Sequence, residues 1–267
     1  MKVPYTVTII LFTTIIYSQY NYGLEVEQQD VKVQGKLNLD SGNDNVFIGT
    51  NSGLSNTIGS ANSFIGFGSG VSNTTGIDNS FVGWASGVSN TVGNFNNFMG
   101  QASGFQNTTG SSNSFYGQGS GLDNTTGSFS SFLGHSSGFS NTSGNSNSFI
   151  GAQAGFHNKT GDNNIAIGKG AGPSQANTTQ SNRLYIDINT SVPTGGNDNP
   201  LIYGEFDNDL IRINGTLHIT ETAKLTPLTG PPSTCSSSAE YGTIYYDSSV
   251  SPNRIKICTD IGWTNMN

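Results

Sequence analysis

The sequence predicts an all-β protein built on a parallel β-roll solenoid of eight 17-residue coils, followed by short β segments. The repeat is marked by a Phe, an apolar residue and a Gly, and each copy carries the same turn residues with no insertion. A fixed period of this size is typical of solenoids, in which each repeat is one coil stacked on the last. Ala166 takes the eighth position of a row whose other members are Phe47, Phe64, Phe81, Phe98, Phe115, Phe132 and Phe149.

The residues between successive Phe positions predict a flattened coil of two short strands and two turns. Residues 69–76 read Ser-Gly-Val-Ser-Asn-Thr-Thr-Gly, and closely similar segments occupy 103–110 and 120–127. Gly and Asn favour turns, because Gly tolerates positive φ and the Asn side chain bonds its own backbone. The pieces between turns are about four residues long and rich in Phe, Ile, Val, Ser and Thr, which favours strands over helices.

Stacking near-identical coils predicts ladders of like side chains at a spacing of ~4.8 Å. Adjacent residues of a strand point to opposite faces, so the Phe row and the apolar row after it cannot both face inwards. One of them must form an exposed apolar stripe, which usually marks an interface, so we expect the rod to associate with copies of itself. The second row contains Ile48, Ile65, Val82, Met99, Tyr116, Leu133 and Ile150.

The last coil resembles a known family. Residues 164–168 read Asn-Ile-Ala-Ile-Gly and are followed by Ala171 and Gly172, which looks like the YadA-like head repeat of trimeric autotransporter adhesins. The resemblance implies a left-handed parallel β-roll in which three chains pack around a common axis. The Phe-containing coils are more similar to variants found in secreted bacterial surface proteins and fibre-like proteins. The coil here is longer than the usual head coil, and Phe replaces Ala in seven of the eight copies.

Composition excludes several classes of protein. Only 10% of the 267 residues are charged and 36 are Gly, which is unlike a helix-rich enzyme core and suits a repeat rod. Disorder is the alternative for such a polar chain, but the strict spacing of the Phe row favours order. With a net charge of -7 and no basic run, the chain has no electrostatic footprint for nucleic acid.

The beginning of the chain predicts export. Residues 1–19 are typical of a secretory signal peptide, since Lys2 precedes an apolar run at 7–16 that is too short to span a bilayer well. An uncleaved anchor is the alternative. We expect a secreted protein, extracellular or at the cell surface, with no integral membrane segment after signal cleavage. Residues 20–44 are interpreted as a lead-in and N-terminal cap, because solenoids need atypical ends.

The remaining segments follow the repeat head at 45–173. Residues 174–226 are interpreted as a linker and post-rod β segment, in which 211–219 is a near-copy of 31–39. Residues 227–267 predict a small β module.

The two cysteines of the chain, Cys235 and Cys258, both lie in this last module. They predict a disulfide in an exported protein, with two free thiols as the alternative. No His or other metal-ligating residue type lies beside either of them, so no metal site is expected.

No motif in the sequence supports enzymatic activity or a cofactor. Residues 134–138 match the Gly-x-Ser-x-Gly pattern of hydrolases. That pattern requires a strand before it and a helix after it, and here it is one copy of the repeat. We therefore expect a protein that is not an enzyme.

The leading functional expectation is a secreted structural and adhesive surface protein that acts by multivalent display from a trimeric rod. Its expected partners are its own copies, as a homotrimer, and an extracellular glycan, matrix or host surface. The candidate exposed polar array is Asn73, Thr74, Asn107, Thr108, Asn124 and Thr125, with turn formation alone as the alternative. Two other hypotheses are a fibre or spacer subunit whose C-terminal module docks a partner, and a glycan-binding or ice-binding solenoid.

Overall fold

A computed structural model describes residues 43–188, 199–220, 227–228, 244–247, 254–259 and 262–265 of the chain. These residues form an eleven-stranded sheet and a four-stranded sheet, and none of them is helical. The predicted all-β class is confirmed. The predicted signal peptide and nearly all of the predicted N-terminal cap lie outside the described residues.

Each coil of the repeat contributes one strand of three residues, and each strand pairs in parallel with the next. The register sets Phe64 against Phe81, which is 17 residues later, and repeats from coil to coil. The predicted parallel β-solenoid with 17-residue spacing is therefore confirmed. The strands are β1 (Val46–Ile48), β2 (Ser63–Ile65), β3 (Ser80–Val82), β4 (Asn97–Met99), β5 (Ser114–Tyr116), β6 (Ser131–Leu133), β7 (Ser148–Ile150) and β8 (Ile165–Ile167).

The prediction of two strands per coil is wrong, because the second half of each coil consists of turns. The backbone of Ala85 has φ 53° and that of Gly87 has φ 58°, and these left-handed conformations interrupt any extended segment. The turns are nevertheless bonded from coil to coil, as where the Thr74 N–H donates to the Thr91 carbonyl at 2.9 Å.

The Phe row forms the core of the rod. Neighbouring rings stack with centroids 4.6 Å apart at the closest pair and 5.1 Å at the widest. Rings from Phe64 to Phe149 are buried, whereas Phe47 in the first coil is 36% exposed. Such stacked pairs contribute about 0.5–1.5 kcal/mol each beyond the burial of their surface. The Phe row is thus the inward row, and the apolar row after it faces outwards.

The parallel stack continues into β9 (Arg183–Ile186), which pairs with β8. Here Ala166 faces Tyr185, 19 residues later, so the eighth coil, which leads from β8 to β9, is two residues longer than the others. The buried ring of Tyr185 fills the place that Phe occupies elsewhere. Two antiparallel strands, β10 (Ile202–Glu205) and β11 (Leu210–Ile213), then end the parallel arrangement.

The four-stranded sheet belongs to the C-terminal segment. It consists of β12 (Pro227–Leu228), β13 (Ile244–Asp247), β14 (Arg254–Thr259) and β15 (Gly262–Asn265). Cys258 is buried in β14 and is disulfide-bonded. Cys235 lies outside the described residues, so its pairing with Cys258 stays a prediction.

Candidate interaction surfaces

Two positions, occupied by Asn in nearly every coil, form ladders that run along the inside of the rod. The side chains of both ladders are buried, except that of Asn56 in the first coil, which is partly exposed. The first ladder contains Asn45, Asn62, Asn79, Asn96, Asn113, Asn147 and Asn164. The second ladder contains Asn56, Asn73, Asn90, Asn107, Asn124, Asn141 and Asn158.

The ladders satisfy the polar groups of one turn in each coil. The Gly110 carbonyl accepts a hydrogen bond from the Asn96 amide at 2.8 Å and from the Asn107 amide at 3.0 Å. The Asn107 amide also donates to Asn90 Oδ1 at 2.7 Å, and Asn96 Oδ1 accepts from the Asn113 N–H at 3.0 Å. Buried polar groups that are hydrogen-bonded in this way add cohesion between coils instead of a desolvation penalty.

The prediction of an exposed polar array is therefore corrected by the structure. Asn73, Asn107 and Asn124 are fully buried, and their amides donate to the turn carbonyl and to the Asn side chain of the preceding coil. Thr74, Thr108 and Thr125 are only partly exposed. Each of these Thr hydroxyls donates to the Thr carbonyl one coil further on; the three bonds measure 3.0, 2.9 and 2.8 Å. The exposed members of this turn are the next residues along, which include Thr75, Thr109 and Thr126.

The outer side of β1 to β8 is a continuous surface, which we call the strand face. Its apolar row contains Ile48, Ile65, Val82, Met99, Tyr116, Leu133, Ile150 and Ile167. Its second row contains Val46, Ser63, Ser80, Asn97, Ser114, Ser131, Ser148 and Ile165.

The strand face is exposed, continuous and uncharged. Leu133 is 54% exposed, and Tyr116, Leu133 and Ile150 line a shallow groove of about 380 Å³ together with Ser114 and Ser131. None of the side chains in either row carries a charge. The strand face can therefore be covered by an apolar partner without desolvating an ion.

A second exposed surface, which the sequence reasoning did not single out, follows the strand face at the next corner of the coil. This corner row contains Thr50, Phe67, Trp84, Gln101, Gln118, His135, Ala152 and Lys169. Phe67 is 53% exposed and Trp84 is 52% exposed. The signal in the sequence was variability, because this position changes from coil to coil while the residue before it is Gly in every coil.

Charged groups cluster after the parallel stack. Arg183 forms an ion pair with Asp207 at 2.6 Å, and the Arg212 guanidinium lies 4.7 Å from the ring centre of Tyr203. A hydrogen bond from Asn208 lowers the pKa of the exposed Glu205 carboxyl, and burial raises the pKa of the Tyr203 hydroxyl. The Arg183–Asp207 pair braces one end of the β9–β10 pair, and the contact between Arg212 and Tyr203 joins β11 to β10.

The described residues contain no group of three or more His, Cys, Asp or Glu side chains arranged to hold a metal ion. They also contain no helix with the length and apolarity that a membrane crossing requires.

Comparison of the chain with protein-family models, with curated proteins and with solved structures finds no match.

Proposed function

We propose that this protein is a secreted structural and adhesive surface protein whose rod self-associates as a homotrimer. The observation that carries the proposal is the strand face, where an apolar row continues through eight successive coils without a charged residue. Soluble monomeric proteins rarely leave a contiguous apolar surface of this kind uncovered.

The strand face suits close packing against copies of itself. Removal of its apolar surface from water contributes about 25 cal/mol per Å², against which the entropy cost of association is set. The small Ser side chains of the second row permit a neighbouring backbone to approach. Because the face has no ions, association does not incur the desolvation cost of buried charges.

Three copies are proposed on the strength of the resemblance to trimeric adhesin heads. In a trimer, each face that points away from the strand face is presented three times. A weak contact on such a face then gains strength through avidity, since later binding events become intramolecular. Export is proposed from the charged start and apolar run within residues 1–19.

Light scattering on residues 20–267, combined with size-exclusion chromatography, tests self-association. The double variant Met99→Glu with Leu133→Glu places two carboxylates on the strand face. We expect the wild-type chain to be trimeric and the variant to be monomeric, because burial of unpaired charges is costly.

The matched control is Thr75→Glu with Thr109→Glu, which adds the same charge, also two coils apart, to exposed turn positions. This control should remain trimeric, and circular dichroism should show that both variants remain folded. A wild-type chain that is monomeric at micromolar concentration would contradict the proposal.

A further inference from the structure

The corner row carries two exposed aromatic residues in adjacent coils, followed by two amides in the next two coils. Phe67 and Trp84 are each about half exposed, and Gln101 and Gln118 continue the same row. The Gln118 amide donates to Gln101 Oε1 at 3.1 Å. Two aromatic faces and a hydrogen-bonded amide pair are therefore presented along one edge of the rod.

The backbone fixes the spacing of these four side chains. The Phe67 carbonyl accepts from the Ala85 N–H at 2.9 Å, and the Trp84 carbonyl accepts from the Ala102 N–H at 2.8 Å. The Gln101 carbonyl is held in the same way by Gly119. Coils bonded like this lie ~4.8 Å apart, which is comparable with the rise of one sugar unit in an extended polysaccharide.

The chemistry of the row matches a carbohydrate. Aromatic rings offer a flat apolar surface against which the C–H face of a pyranose stacks. A Gln amide both donates and accepts hydrogen bonds, as neighbouring sugar hydroxyls require. The stretch from Phe67 to Gln118 contains no charged residue in this row, which favours a neutral ligand over an acidic or basic one.

The dimensions of the row disfavour a protein partner. Four coils span roughly 15 Å, and the row is one residue wide. A stable protein interface covers about 800 Å² on each side, far more than such an edge offers.

We propose that the corner row from Phe67 to Gln118 binds a neutral polysaccharide chain that runs along the rod. The aromatic side chains stack on successive sugar units, and the two Gln amides bond the hydroxyls of the units that follow. This inference rests on the proposed adhesive role and gives that role a ligand class. A trimer presents three such edges, so that individually weak sites bind a polymer with avidity.

The test is retention by a panel of neutral polysaccharides: hydroxyethyl cellulose, galactomannan and laminarin in native affinity gels, and insoluble cellulose and chitin in sedimentation. The double variant Phe67→Gln with Trp84→Gln gives these two coils the residue that the next two coils already have at this position, and so preserves the backbone environment. We expect at least one polysaccharide to retain the wild-type chain, with at least a tenfold loss of affinity in the variant. Trp fluorescence should change when that polysaccharide is added to the wild-type chain.

The matched control is Phe129→Ser, which removes a different exposed aromatic residue, 68% exposed and located on another row. Ser112 and Ser146 already occupy this position in the neighbouring coils, so the change is compatible with the fold. The control should bind as the wild-type chain does.

Three results would overturn the polysaccharide site: no retention by any neutral member of the panel, equal retention of the double variant, or retention only by charged polymers such as alginate and heparin. Loss of the trimer in the double variant would also overturn it, by placing Phe67 and Trp84 in the contact between copies. Light scattering on the same samples separates the two proposals. A trimer without retention contradicts the site alone, and a monomer with retention contradicts self-association alone.

Discussion

Ser130 interrupts the first Asn ladder, in a position where the neighbouring coils have Asn113 and Asn147. Its hydroxyl accepts the Asn147 N–H at 3.2 Å, so that part of the ladder survives. The Gly144 carbonyl is affected more. In the described part of the chain it accepts one side-chain amide, from Asn141 at 3.0 Å, where the equivalent Gly110 carbonyl accepts two.

Restoring the missing amide should stabilise the rod. We expect Ser130→Asn to raise the free energy of unfolding by about 1 kcal/mol, because it adds one buried hydrogen bond in a site that other coils fill with Asn. The converse change Asn113→Ser removes the 2.8 Å bond to the Gly127 carbonyl and should lower stability by about 1 kcal/mol. Equilibrium denaturation in guanidinium chloride measures both. An unchanged or lower stability for Ser130→Asn would show that the site does not accept the amide.

At the scale of single residues, the sequence was a good guide to which residues repeat and a poorer guide to which side chains face the interior. From the sequence, Asn73 is a member of a candidate exposed polar array with turn formation as the alternative, and in the structure its amide is part of the interior. The polarity of Asn suggested an exposed side chain, but hydrogen bonds to the turn carbonyl hold it inside the rod. Variability between coils is the better guide, since the second ladder keeps Asn in coil after coil while the corner row ranges from Trp84 to Lys169.

Within a single coil, two Gly residues near the same corner have different roles. Gly117 has φ +130°, and a Cβ added there would lie 2.5 Å from the Gly134 carbonyl oxygen of the next coil. Gly119 has φ +63°, and a Cβ added there would lie 3.6 Å from the nearest atom. Ala102 occupies the same position as Gly119 in the preceding coil with φ 54°. Close approach of the coils thus depends on the first Gly and not on the second.

The two positions should respond differently to the same substitution. We expect Gly117→Ala to lower stability by roughly 2–5 kcal/mol, since it combines backbone strain with overpacking against a carbonyl. Gly119→Ala should change stability by less than about 1 kcal/mol, because the left-handed strain is offset by reduced entropy of the unfolded chain. Thermal and chemical denaturation of the pair provide the measurement. Equal effects at both positions would contradict the role assigned to Gly117.

The strands of the rod were predictable because a Phe between a small and an apolar residue recurs at a fixed interval. The absence of a second strand in each coil was not predictable, because the residues of that segment have the composition of a strand. The backbone conformation prevents a strand there. Residues such as Ala85 are left-handed, which their residue type does not ordinarily favour and the sequence does not signal.

Over the whole molecule, the rod is a one-dimensional stack in which each coil contacts its two neighbours. Removal of exactly one coil should therefore leave the register of all others intact. We expect a chain lacking residues 101–117 to fold into a shorter rod with lower stability and a smaller denaturant m value, since less surface is buried. Circular dichroism and equilibrium denaturation measure this.

Deletion of residues 101–109 is the control, because it removes about half a coil and places turn residues against strand residues. That chain should lose cooperative unfolding. Equal behaviour of the two deletions would contradict a stack held together by register.

The sequence was sufficient to predict the architecture of this rod, because a regular repeat leaves one way to stack it. It did not predict the ninth coil, in which Tyr185 takes the place of the Phe ring after an interval of 19 residues. The two extra residues and the Tyr conceal this coil from a search for the Phe pattern. In the structure the Tyr185 hydroxyl donates a hydrogen bond to the Gln180 side chain at 2.7 Å.

The Asn ladders also set how the rod responds to its surroundings. Their cohesion comes from amides and carbonyls, which have no net charge for salt to screen and no proton to release or take up at ordinary pH. The cohesion that the Asn ladders supply is therefore insensitive to ionic strength and acidity in a way that cohesion through ion pairs is not.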